Sequence, residues 1–427
     1  MLDTWIVLIG ATCAISCAIP GVLLVLRRMS LMGDAISHTV LPGIAIAFLI
    51  TGSRDPVAML IGAVVIGLLT AFLVETIQSI GRVEAGASMG IVFTFLFAFG
   101  LVLMRQAVDH VDIDPDCVLY GSIELAWFDQ LRIAGMNVPR GIVVNGVMLL
   151  LNLFLVLLFY KEFKITSFDP SLAQAQGIRP SIMHYLLMTM TATTAVAAFE
   201  TVGSILVVAM FIVPAATAYV LTDRYGFLLC LSIAIAIFSA VLGHLGAIAI
   251  PIWFGFSGTS TAGAMAVASG LLFILAWFGS PKYGLCTRGL RRIELRLRIL
   301  REDVLGVLWR LEERKQEAAK LSQLAMAIGA HPMMMRIALS HLLQQGRISK
   351  DGSGWLLTEK GRLFATSIIR THRLWEVYLD KHFPQDEHQL HHAASRLEHV
   401  TSESMQSALG DARTDPHGSN VPQNDDP

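Results

Sequence analysis

About nine long apolar runs fill the chain up to Ser280, and beyond it no run could cross a bilayer; that break constrains the fold more than any other feature. The runs lie near Trp5 to Leu26, Ala35 to Ile50, Pro56 to Ile80, Met89 to Met104, Ile142 to Phe159, Met183 to Ala198, Gly203 to Leu221, Phe227 to Ile250 and Ala262 to Phe278. Several are short, so one or two are expected to be broken or re-entrant, as where a transporter bends its backbone around a substrate path. The overall composition, 54% hydrophobic and 15% charged, averages two unlike parts, since charged residues and histidines become frequent only after the last run. A formal net charge of -1 therefore decides nothing.

Basic residues orient the spans. One set of alternate connections holds Arg27, Arg28, Arg82, Lys161, Lys164, Arg179, Arg224, Lys282 and Arg288, and the other holds Arg54, Arg105, Arg132 and Arg140. The richer set is expected in the cytoplasm, which puts the N-terminus outside and the C-terminal region inside the cell (inner) membrane. No basic start and small-residue cleavage site opens the chain, so the first run is expected to remain as a span. The outer connection "DHVDIDPD" (Asp109 to Asp116) reads as a solvated loop. None of the five cysteines falls in a CxxC pair, and Cys13 and Cys17, one turn apart in an apolar run, read as small buried residues.

"GDAISHTVLPG" (Gly33 to Gly43) places two ionisable residues in an apolar run. Such residues are costly at bilayer depth and become functional candidates for that reason. At i and i+4 of a helix, Asp34 and His38 share a face and can reach one cation, with Pro42 and Gly43 able to distort the backbone beyond. A carboxylate with an imidazole and no thiolate suits manganese, iron(II) or zinc better than copper(I). Spacing alone leaves a second reading open, in which Asp34 caps the helix and His38 bonds a neighbouring carbonyl.

The stretch "RRMSLMGDAISHTVLPGIA" (Arg27 to Ala45) resembles the signature of the metal-ion permeases of ABC transporters. Further similarities follow in order: "FDPSLAQAQGI" (Phe168 to Ile178), "VGSILVVAMFIVPAATA" (Val202 to Ala218), "TSTAGAMAV" (Thr259 to Val267) and "GSPKYG" (Gly279 to Gly284). The resemblance covers nearly all of residues 1–285 and implies that Asp34 and His38 line the translocation path and bind the metal. It also implies that the segment Asp169 to Gly177, with Ala173 between them, is the coupling helix that fits a groove on an ABC ATPase subunit. Because the chain has no GxxxxGK[ST] phosphate loop, it is expected to be a transport channel subunit and not an enzyme, with ATP cleaved on a separate subunit. The other partners implied are an extracytoplasmic metal-binding protein and a second permease subunit, the same or a sister. Glu200, His184 and His244 also fall in or near spans and stay outside this predicted site.

After Gly284 the sequence reads as a linker, then a helix with apolar Ile293, Leu297, Leu300, Val304, Leu308 and Leu311 at helical spacing. Its arginines, Arg291, Arg292, Arg296, Arg298 and Arg301, are available to membrane lipid head groups. "KLSQLAMAIGAHPMMMRIALSHLLQQGRI" predicts two helices around Gly329, the second opening on Pro332, and "SKDGSGWLLT" predicts a hairpin. Helix, turn, helix and wing serve both nucleic-acid binding and protein interaction. Met333, Met334 and Met335 stand where a DNA reader presents polar donors, which counts against base reading, although Arg336, Ser340 and His341 remain.

"HRLWE" and "HHAASRLEH" then lead to "DPHG" (Asp415 to Gly418), and from about Leu295 to Pro422 the chain resembles metalloregulators of the diphtheria-toxin-repressor and manganese-repressor type. That resemblance implies metal ligands at His372, Glu376, His391, Glu398 and His399, with Asp303 as the remaining N-terminal one. Ser395 departs from the pattern, since it occupies the place of a cysteine or carboxylate ligand and a hydroxyl binds metal poorly. The end, "SNVPQNDDP", is expected to be disordered.

The expected fold class is an all-α polytopic membrane domain followed by a soluble α-rich winged-helix domain with a helical dimerisation and metal-binding segment. Expected boundaries are 1–285 for the permease, 286–365 for the linker helix and winged helix, 366–422 for the helical metal-binding and dimerisation region, and 423–427 for a disordered tail. The expected function is the permease subunit of an importer for a divalent transition metal, with that metal also a candidate regulator at the tail. Ligand chemistry leaves manganese, iron and zinc unranked. The rival reading is a membrane-tethered, metal-dependent transcriptional regulator that binds DNA.

Overall fold

The computed structural model describes residues 2–52, 56–108, 123–124, 126–133, 136–253, 255, 259–315, 319–352, 354–383, 387–410 and 412–422. They form two compact units, Met1–Thr287 and Arg288–Pro427.

The first unit contains α1 (Leu2–Leu26), α2 (Leu31–Thr51), α3 (Pro56–Gly81) and α4 (Ala85–Val108), then the hairpin β1 (Gln130–Ile133) and β2 (Met136–Pro139). It continues through α5 (Arg140–Leu158), α6 (Tyr160–Phe168), α7 (Pro170–Ala175), α8 (Pro180–Val202), α9 (Ser204–Leu221), α10 (Tyr225–Trp253) and α11 (Thr261–Gly279). Every predicted apolar run corresponds to one of these helices. Among the described residues, eight helices are long and apolar enough to cross a membrane, and α9 is shorter. A single residue, Gly203, separates it from α8, and its φ of 80° is a conformation that a residue without Cβ adopts readily. The carboxylate-rich stretch Asp109 to Asp116 lies outside the described residues.

Polarity is inverted on α5. On α5 the buried residues are Asn145, Asn152 and Val156, whereas Leu150, Phe154 and Leu157 are exposed. Asn152 Nδ2 donates to Thr194 Oγ1 at 2.7 Å and to the Ser16 carbonyl at 3.1 Å, and Asn145 Nδ2 donates to Thr201 Oγ1 at 3.0 Å. Lipid tails are as apolar as leucine, so polar groups turn inward to find partners and close backbone packing replaces hydrophobic burial. Helix α1 occupies the middle, packed on α5, α8, α9 and α10, with Ile9, Cys13, Cys17 and Leu23 fully buried. Gly43 belongs to this packing as well. It sits inside an unbroken α2, where an added Cβ would lie 2.4 Å from the Gly62 carbonyl oxygen of α3, so its role is close helix approach and not the backbone distortion expected from the sequence.

The second unit takes most of α12 (Leu285–Glu313), followed by α13 (Leu321–Ile328), α14 (Pro332–Gln344), the hairpin β3 (Ile348–Asp351) and β4 (Gly354–Leu357), α15 (Glu359–His382) and α16 (Glu387–Leu397). A 3₁₀ turn (Glu398–Val400) and α17 (Glu403–Ala408) close the helical part. The expected linker after Gly284 is absent, because α12 begins at Leu285 in a run of leucine, arginine and glutamate, all good helix formers. Only the later part of its apolar stripe is internal: Leu300, Val304, Leu305 and Leu308 pack with Leu324, Met335, Leu339 and Leu342, whereas Ile293 is exposed.

The chain end also departs from expectation. Val421 is buried, its N–H donates to the Arg413 carbonyl at 2.9 Å, and Arg370 Nη1 donates to the Pro422 carbonyl at 3.1 Å. Residues Ser419 to Pro422 are thus tied down on α15, and only 423–427 lie outside the described residues.

Candidate metal centres

Helix α2 begins at Leu31 after Ser30, so Asp34 lies in its first turn, half-buried, and the N-cap position is not its own. Positions 34 and 38 fall one helical turn apart on unbroken helix. The His38 side chain lies outside the described residues, as does that of Glu200. His244 is buried, with Nε2 3.6 Å from Asp3 Oδ1.

The segment from Asp169 to Gly177 is a capped turn of helix. Asp169 accepts from the N–H groups of Ser171 and Leu172 at 3.1 and 3.0 Å, and from the Ser171 hydroxyl at 2.6 Å. Hydrogen bonds from Ser171 and Leu172 hold its carboxyl below the usual carboxylate range. Ala173 is fully buried, and Gly177 ends the segment at φ 80°. The three named residues therefore shape this element, while Leu172, Gln174, Ala175 and Gln176 form its exposed surface.

In the second unit all six predicted ligands converge, in two groups: His372, Glu376 and His391, and Asp303, Glu398 and His399. His372 and Glu376 are one turn apart on α15, and α16 brings His391 across to them. His372 Nε2 lies 3.0 Å from Glu376 Oε1 and 3.0 Å from His391 Nδ1, and His391 Nδ1 lies 2.7 Å from Glu376 Oε1. Neighbouring ligands at right angles on an ion with bonds of about 2.1 Å sit about 3 Å apart, so this triangle of two ring nitrogens and one oxygen has the edges that a divalent cation needs. In the second group His399 Nε2 is 3.2 Å from Asp303 Oδ1 and 3.5 Å from Glu398 Oε1. Glu398 belongs to both neighbourhoods, because its other oxygen is 2.6 Å from His372 Nδ1. Nitrogen and oxygen donors without thiolate fit a borderline divalent ion.

The surrounding charges favour this arrangement. Burial alone would push the His399 ring down, yet the carboxylates of Asp303, Glu302 and Glu398 outweigh it and raise the pKa to about 10. Burial likewise opposes ionisation of Glu376, and the rings of His372 and His391 reverse that, holding it at about 2. For His372 burial lowers the pKa, but Glu376 and Glu398 carry it above the ordinary value.

Two participants were not singled out from the sequence. Glu302 Oε2 is 2.7 Å from His399 Nδ1, and its other oxygen accepts from Arg298 Nε at 3.0 Å. This carboxylate fixes the proton on Nδ1 and turns Nε2 toward Asp303 and Glu398. His417 arrives on the Asp415 turn, where Asp415 Oδ1 accepts from the N–H groups of His417 and Ser419, and its Nε2 lies 3.9 Å from Glu376 Oε1. Ser395 is half-buried on α16.

The chain matches the ABC 3 transport family over residues 2–280, and the iron dependent repressor, metal binding and dimerisation domain, over residues 358–423. It is 42% identical over 294 residues to the manganese transport system membrane protein MntD of Bacillus subtilis, spanning 69% of this chain and 97% of that one. It is 35% identical over 359 residues to the zinc transport system membrane protein TroD of Treponema pallidum, spanning 83% and 96% of the two chains. The solved structure of PsaBC from Streptococcus pneumoniae in complex with Fab superposes with a TM-score of 0.55 at 30% identity, covering 67% of this chain and 94% of that one. On these matches the chain belongs to the ABC 3 transport family of membrane permeases, with an iron-dependent-repressor metal-binding domain joined behind it.

Proposed function

We propose that the chain is the permease subunit of an ABC importer for a divalent transition metal, with a metal-sensing tail on the cytoplasmic side. The observation that carries this reading is the match to manganese and zinc transport proteins over almost their whole length, joined to a second unit in which two nitrogen–oxygen donor groups assemble. The cargo passes Asp34 and His38 as a largely dehydrated ion, each conformation of the permease exposing the pair to one side. Asp34 supplies the negative charge that offsets the loss of hydration. Manganese, zinc and iron are all within the reach of such donors.

ATP is hydrolysed on a separate ATPase subunit, which engages the exposed face of α7. An extracytoplasmic binding protein delivers the metal, and a second permease, the same or a sister, completes the path. The N-terminus is outside and the tail inside, the orientation that the richer set of basic connections supports. In the tail, His372, Glu376 and His391 would hold one ion and Asp303, Glu398 and His399 another, and metal bound there would inhibit further uptake. A tail that regulates transcription is the rival, and exposed Met333 on α14 disfavours it, since it offers base edges no hydrogen bond.

Transport assays in proteoliposomes with the ATPase partner test the reading. Uptake of Mn²⁺, Zn²⁺ or Fe²⁺ is expected for the wild type and should be abolished in Asp34→Ala and His38→Ala. Unchanged uptake in both variants would remove the proposed path.

A further inference from the structure

Glu75 on α3 and His184 on α8 have no role in the path just described. Both stand near the helix ends that carry Arg82 and Arg179, on the opposite side of the bundle from the N-terminus in the orientation argued above. They line a cavity of about 620 Å³ together with Arg27, Thr166, Ser181 and Tyr219. His184 Nε2 lies 4.0 Å from Glu75 Oε2, both atoms are buried, and neither makes a hydrogen bond among the described residues. The Tyr185 hydroxyl is positioned to share the same carboxyl group.

The two facing atoms, Glu75 Oε2 and His184 Nε2, are shielded and without hydrogen bonds although the Glu75 side chain is 42% exposed overall, and a shielded polar atom left unpaired carries an unfavourable free energy. A direct hydrogen bond between them would relieve it, and their separation is too long for one. It suits two nearly opposed ligands of one octahedral ion instead, since bonds of about 2.1 Å put opposed donors about 4.2 Å apart. The remaining coordination positions would face the cavity, where water and the Tyr219 hydroxyl have room.

Arg27 sets the strength of such a site. Its Nη2 donates to Thr166 Oγ1 at 2.8 Å and its Nε to Ser167 Oγ at 3.2 Å, which fixes a positive charge on the cavity wall. A cation held here is repelled by that charge, so binding is weak and exchange fast. Those are the properties of a release station and not of a store.

We infer that Glu75 and His184 form a second, low-affinity station for the divalent transition cation at the inner end of the permease, taken up after the ion leaves Asp34 and His38. The inference rests on the permease reading and deepens it.

The purified full chain, dialysed against millimolar Mn²⁺, should bind one ion fewer per chain in Glu75→Gln and in His184→Gln than in the wild type, with the ions of the tail retained. Glu75→Asp, which keeps the carboxylate, should restore the count. In proteoliposomes with the ATPase partner, the first two variants should lower kcat for Mn²⁺ import about tenfold while KM, set at the loading pair, shifts less than about twofold. Equal ion counts in Glu75→Gln and wild type overturn the inference, as does a Glu75→Asp protein no better than Glu75→Gln. Loss of an ion in the variants beside a wild type that imports no metal would instead leave this site standing and sink the permease reading.

Discussion

His399 carries a proton at neutral pH in the metal-free tail, since its pKa of about 10 stands well above the 6.5 of a free imidazole. An ion that takes Nε2 must displace a charge that three carboxylates hold in place. Metal binding is therefore expected to release a proton, and affinity for Mn²⁺ should rise about tenfold per pH unit between about pH 6 and pH 8. Calorimetric titrations in two buffers of different ionisation enthalpy read that proton directly, and a pH-independent constant would take His399 out of the ligand set. Glu302 acts one step further back, through Nδ1 of the same ring. Glu302→Gln keeps the shape and removes the charge, and should weaken metal binding by about 10- to 100-fold while the fold persists. A change of less than about threefold, measured by the same titration, would show that the ring needs no such support.

Asp169 caps the start of the α7 segment. Asp169 satisfies two N–H groups at the start of a helix too short to hold itself, so Asp169→Ala should loosen the exposed face and lower metal-driven ATP hydrolysis in the assembled transporter, leaving ion counts unchanged. Unaltered coupling would reassign that face. At this scale the sequence was highly legible. Apolar length alone locates the spans, and Gly329, Pro332 and the wing turn mark the winged helix, because each signal is local. Partners distant along the chain were not legible. Glu302 and His399 are separated by 97 residues, and Glu75 and His184 meet across two helices whose pairing no periodicity encodes. That six distant residues of the tail would gather in two groups could be expected only because a family resemblance supplied what spacing could not. The apolar stripe of α12 misled in the opposite direction, since Ile293 has the right spacing for a core that begins only at Leu300.

For the molecule as a whole, one chain joins an ABC 3 permease unit to an iron-dependent-repressor metal-binding domain. Removing residues 290–427 should leave initial uptake intact and abolish its decline at high internal metal, followed as Mn²⁺ accumulation over time in cells or vesicles. Accumulation that levels off as in the full chain would exclude feedback through the tail. A mobility-shift assay with the full chain and manganese addresses the rival reading, for which retarded DNA is the required result. The two donor groups also have a joint consequence, because Glu398 offers one oxygen to each. If each group takes an ion, the first to bind would hold Glu398, and through it the His372 ring, in place for the second, so half-filled tails should be scarce. Supply would then be curtailed over a narrow span of concentration and not in proportion to it.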